Sequence, residues 1–88
     1  TTKINLFMLW KIQQRLLYLD SLLALQATGT PKELAKKLQM TERSWYKLRD
    51  ELIHDLQIPI VYNSKQRSYM YQEKGMIKMG FQRFKENS

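Results

Sequence analysis

Two helix-start signals stand eleven residues apart, Thr30-Pro31-Lys32-Glu33 and Thr41-Glu42, and they leave room for only one short helix and a tight turn between them. Thr30 can accept from the free amides of the first turn, Pro31 sits where its missing N–H costs nothing, and Glu33 can reach back to the Thr30 amide. Leu34, Ala35 and Leu38 form the inner face of this helix of roughly eight residues. Met40 precedes the Thr41 cap and Trp45 follows it by four, the spacing of a hydrophobic staple that sets the entry angle of the next helix. That next helix is expected from Glu42 to about His54. Trp45, Leu48, Leu52 and either Ile53 or Leu56 turn inward, while Arg43, Tyr46, Lys47 and Asp50 face out, flanked by Glu42 and Arg49. Pro59 ends any helical reading at Ile58, because the residue before proline is steered to extended backbone.

Upstream, Leu6 to Gln26 is the longest periodic stretch. Leu9, Ile12, Leu16, Leu19 and Leu23 recur at spacings of three and four and predict one helical stripe. Leu17, Tyr18, Leu22 and Leu25 widen the apolar surface beyond a single core contact, so a second element or a second copy is expected to cover the excess. Ala27 to Gly29 is the expected end of this helix. After Pro59 the period falls from 3.6 to 2. Ile60 with Tyr62, and Tyr69 with Tyr71, mark the faces of a hairpin around Asn63-Ser64-Lys65-Gln66-Arg67. Glu73-Lys74-Gly75 predicts a second turn, Met76 to Phe81 a third strand, and Gln82 to Ser88 a tail or an arm on a partner. A domain over residues 1–72 followed by a tail or dimer arm over 73–88 is therefore expected.

Composition narrows what such a chain does. Its 88 residues exclude a large enzyme fold and suit one small domain, and 43% apolar residues suffice for a folded core. Fifteen Lys and Arg against eight Asp and Glu leave a formal charge of +7, which favours a polyanionic partner. Cysteine is absent, which excludes disulfides, thiolate metal sites and a cysteine nucleophile. No apolar run approaches the roughly 20 residues that cross a bilayer, and nothing near Thr1 reads as a signal peptide. A soluble cytoplasmic protein is expected. The one histidine, His54, reads as a helix-end residue. With no HExxH, phosphate loop or nucleophile elbow, neither catalysis, metal nor cofactor is expected.

Three helices followed by a hairpin predict an α+β fold, a winged helix-turn-helix with a two- or three-stranded antiparallel β wing. In that layout the third helix enters the DNA major groove. Arg43, Tyr46 and Lys47 are the candidate base contacts; the alternative is that Arg43 and Lys47 are solvated helix charges. Lys32, Lys36, Lys37, Thr41 and Arg49 are candidate phosphate contacts. Lys65, Gln66 and Arg67 at the wing tip can cross a backbone or enter the minor groove. Trp45, by its spacing to Leu48 and Leu52, belongs to the core. Trp10 is expected against the wing or at a subunit contact.

Several runs carry a family resemblance. Pro31 to Leu38, Met40 to Lys47, Leu52, Ile58 to Tyr62 and Arg67 to Tyr71 together resemble the helix-turn-helix type 11 or DeoR-like winged-helix domains of bacterial transcription regulators. The likeness spans about Lys11 to Tyr71. Within it, Glu33-Leu34-Ala35 matches the family's step in helix two, Thr41 to Ser44 the start of the recognition helix, Pro59 the proline before the wing and Tyr69 the return-strand tyrosine. Lys47-Leu48-Arg49 stands where the family commonly has Arg-Asp-Ile, which sets Arg49 near a core boundary from which it would snorkel outward. Many relatives carry a ligand-sensing domain after the wing, so this chain either acts alone or is a piece of a larger regulator. The resemblance implies sequence-specific binding of double-stranded DNA, and the domain's small size suggests a homodimer on paired half-sites. The alternative is a winged-helix module that binds a protein partner. RNA ranks third, since single strands call for exposed stacking aromatics.

Overall fold

The computed structural model describes residues 5–77. Three helices, α1 (Leu6–Leu25), α2 (Pro31–Lys37) and α3 (Glu42–His54), precede two strands, β1 (Ile60–Asn63) and β2 (Ser68–Tyr71). The strands pair antiparallel, with Ile60 opposite Tyr71 and Tyr62 opposite Tyr69. The architecture is α+β, and its element order is compatible with a winged-helix layout.

Each helix begins where a side chain satisfies free amides. Asn5 accepts from the Met8 N–H at 2.8 Å, and Thr41 accepts from the Ser44 N–H at 3.0 Å. At α2 the capping box closes, with the Thr30 N–H donating to Glu33 Oε1 at 2.8 Å and the Glu33 N–H to Thr30 Oγ1 at 3.3 Å. The end of α1 differs from expectation. Gln26, one residue before the Ala27 to Gly29 segment, closes the helix with left-handed backbone at φ 54°, and the Ala27 N–H donates to the Leu22 carbonyl. Gln39 and Gln57 are left-handed after the other two helices. Gly29 has a different duty: at φ 80° it passes so close to α2 that a Cβ there would lie 2.7 Å from Glu33 Oε1.

The core joins Leu19, Leu22 and Leu23 of α1, Leu34 and Ala35 of α2, Leu38 beyond it, Trp45 and Leu52 of α3, Ile60 and Tyr69 of the hairpin, and Ile77. Met40 packs against this cluster, as a staple over Trp45 requires. An edge-to-face chain of rings, Trp45 to Tyr69 at 5.1 Å and Tyr69 to Tyr62 at 4.9 Å, ties α3 to both strands. Trp45 is fully buried, and its indole N–H has no hydrogen-bond acceptor among the described residues.

Several expectations need correction. The predicted stripe of α1 is buried only from Leu19 onward: Leu9 and Ile12 are 49% and 42% exposed and lie outside the core cluster. Leu56 is exposed, and Ile53 takes the inner position. Residues 72–77 form no strand. Instead the Ile77 N–H donates to Asp20 Oδ1 at 2.9 Å, which lays this segment along α1 and carries core packing past residue 72. The rest of the expected third strand and the C-terminal tail lie outside the described residues.

Candidate nucleic-acid interface

Successive residues turn about 100° around a helix axis, so the burial of Trp45 determines what α3 presents outward. Arg43 and Lys47 lie about 160° and 200° from Trp45, on the side away from the core, and both are exposed. Asp50 and His54 continue the same stripe. The Thr41 cap directly precedes this cationic pair, and its hydroxyl is occupied, accepting from the Ser44 N–H and donating to Ser44 Oγ.

Tyr46 and Arg49 occupy a different face. Together with Asp50 and Ile53 they line a groove closed by Pro31, Ile60, Tyr62 and Tyr69. The Tyr46 hydroxyl donates to Glu42 Oε2 at 2.7 Å, and this carboxylate, with partial burial, holds the phenol above its ordinary pKa. Arg49 lays its guanidinium over the Tyr46 ring, 5.0 Å from the centroid, and bridges to Asp50 at 2.9 Å. Arg49 is thus half-buried in the groove beside the hairpin rather than extended outward, and its donors are partly spent within the helix. Tyr46 is not on the outward stripe with Arg43 and Lys47, because one helical step carries it toward the hairpin.

The lysines of α2 also divide. Lys32 and Lys36 are exposed. Lys37 turns back, its Nζ donating to the Ala27 and Thr28 carbonyls at 2.8 and 3.1 Å, so it satisfies the chain leaving α1. That bracing duty was not expected from its sequence position.

At the hairpin tip Lys65, Gln66 and Arg67 are all exposed. Asn63 shapes the turn, its Oδ1 accepting from the Lys65 and Gln66 N–H groups at 3.0 and 3.2 Å. Arg67 has a left-handed backbone at φ 52°. Its charge reaches the start of α2: hydrogen bonds from Thr30 chiefly lower the Glu33 pKa, and the Lys37 and Arg67 charges lower it further.

What holds the tip there is a polar clasp that the sequence does not advertise. The Thr28 N–H donates to Ser68 Oγ at 3.0 Å, and the Tyr69 N–H donates to Thr28 Oγ1 at 2.7 Å. Thr28 and Ser68 are buried although forty residues apart. No spacing rule links two such small side chains, and only the fold brings them together. Comparison of the chain with protein-family models, curated proteins and solved structures finds no match.

Proposed function

We propose that the chain is a winged helix-turn-helix domain that binds double-stranded DNA in a sequence-specific manner, as a small bacterial transcription regulator. The observation that carries this reading is the outward cationic pair Arg43 and Lys47 on α3, opposite the buried Trp45 and next to the capped N-terminus. Arginine and lysine there can donate to guanine O6 and N7 in the major groove. Lys32 and Lys36 on α2 and Lys65 and Arg67 on the hairpin tip supply phosphate contacts, which add affinity and salt dependence without selecting sequence. The reading requires no metal, cofactor or chemical step.

Selection from a random duplex pool followed by fluorescence anisotropy at two salt concentrations tests it. Binding that weakens with salt is expected. The Arg43→Ala/Lys47→Ala pair should lose at least about tenfold in affinity for the selected duplex, as loss of one or two contacts worth roughly 1–3 kcal/mol each requires. Absence of binding at low salt, or equal affinity of the double variant, overturns the proposal.

A further inference from the structure

One face of α1 has no charge and, apart from a groove along its edge where Trp10, Gln14 and Tyr18 stand beside Lys37, Leu38 and Gln39, no partner among the described residues. Leu6, Phe7, Trp10, Leu17, Tyr18 and Leu25 project from it at 84, 65, 56, 41, 46 and 75% exposure. Gln13, Gln14, Ser21 and Ala24 complete the same arc of about 140°, all exposed. The helix's charged residues lie elsewhere: Lys11 and Arg15 on the flank, with the Lys11 ammonium over the edge of the face at Phe7, and Asp20 beneath, accepting from the Tyr71 hydroxyl and the Ile77 N–H. An exposed apolar face of this extent marks an interaction surface.

We infer that this face is the subunit interface of a homodimer in which α1 packs antiparallel against α1 of a second copy. The area fits. At roughly 200 Å² for a fully exposed large side chain, the six apolar residues offer about 700 Å², near the roughly 800 Å² that each partner contributes to a standard interface. Charge fits too. On a chain of net charge +7, two copies meet with least repulsion where neither carries a charge.

The order of side chains favours self-pairing in this direction. A two-fold axis at the midpoint of α1 sets each residue level with the partner residue whose number brings the sum to about 31, and two residues meet where they also share a side of the face. Trp10 and Ser21, both close to the centre line, then face each other, while Leu6 meets Ala24 on one side and Phe7 meets Leu25 on the other. The largest ring meets a small side chain, as an isologous packed interface requires, whereas a parallel pair would stack Trp10 on Trp10. The helix has no acidic residue in its first turn and no basic one in its last, and antiparallel pairing supplies each dipole end with its opposite. This inference does not depend on DNA binding, and its test contains no DNA.

Sedimentation equilibrium over a concentration series should give twice the chain's mass. Leu17→Arg should sediment as a monomer with an unchanged far-UV spectrum, since Leu17 is exposed and is not a member of the core cluster. Because the chain has no cysteine, Trp10→Cys/Ser21→Cys and Phe7→Cys/Leu25→Cys each report the register under mild oxidation. Covalent dimers are expected from both. A bond within one chain is excluded for residues 10 and 21, about 16 Å apart along the helix. A monomeric wild type, a dimeric Leu17→Arg, failure of both cysteine pairs, or cross-linking by Ser21→Cys alone overturns the inference.

Discussion

Arg67 has its left-handed backbone at a position where glycine or asparagine is at home and a side chain with Cβ costs about 1–2 kcal/mol. Arg67→Gly should therefore stabilise the domain by about 0.5–1 kcal/mol in urea denaturation, while weakening the proposed DNA binding through loss of a phosphate contact. A variant that gains stability and keeps full affinity would remove the hairpin tip from the interface. Thr28 is the opposite case, a small residue with large consequences. Thr28→Val keeps the shape but deprives the buried Tyr69 N–H of its acceptor, and should cost about 1–3 kcal/mol. A double-mutant cycle with Ser68→Ala should show that the two losses do not add, since both variants break one clasp.

Among the elements, α2 is short enough that its caps decide whether it forms. Gly29 passes beneath Glu33 at positive φ, so an added methyl group strains the backbone and pushes against the carboxylate that closes the capping box. Gly29→Ala should lower stability by more than about 1 kcal/mol, a combined backbone and cap effect, read as a shift in thermal midpoint. The element order and most element bounds are legible from local signals. Thr30 with Pro31 and Glu33 marks α2, Thr41 marks α3, and the tyrosine alternation marks the hairpin. The end of α1 is not. Gln26 carries no left-handed preference comparable to glycine's, and it adopts that conformation because Leu22 and Leu23 must stay in the core while the chain turns toward the clasp.

Over the whole molecule, Asp20 joins three parts of the chain, accepting from the Tyr71 hydroxyl on β2 and from the Ile77 N–H beyond it. Burial, then the hydrogen bond to Asp20 and its negative charge, raise the Tyr71 pKa above its ordinary value. The folded protein thus holds this phenolic proton more tightly than the unfolded chain, whose tyrosines titrate near 10. The contribution is complete below pH about 10 and is lost as pH rises through the folded value. The thermal midpoint of the wild type should fall more steeply above pH 10 than that of Tyr71→Phe, which lacks the titrating group. Parallel alkaline profiles would break the link between Tyr71 and Asp20.

Local chemistry in the sequence already determines where the helices start, that Trp45 faces inward, and that Arg43 and Lys47 therefore face outward. Each follows from backbone amides that need partners and from the fixed turn per residue of a helix. Tertiary structure alone decides which members of a chemically suitable set are free to bind. Lys37 and Lys36 are neighbours of one type and both exposed, yet the ammonium of Lys37 is spent on the Ala27 and Thr28 carbonyls. Tyr46 and Lys47 are adjacent, yet one lines the groove with Ile60, Tyr62 and Tyr69 of the hairpin and the other is exposed. Such assignments depend on distances between segments far apart in the chain, and no local pattern encodes those distances.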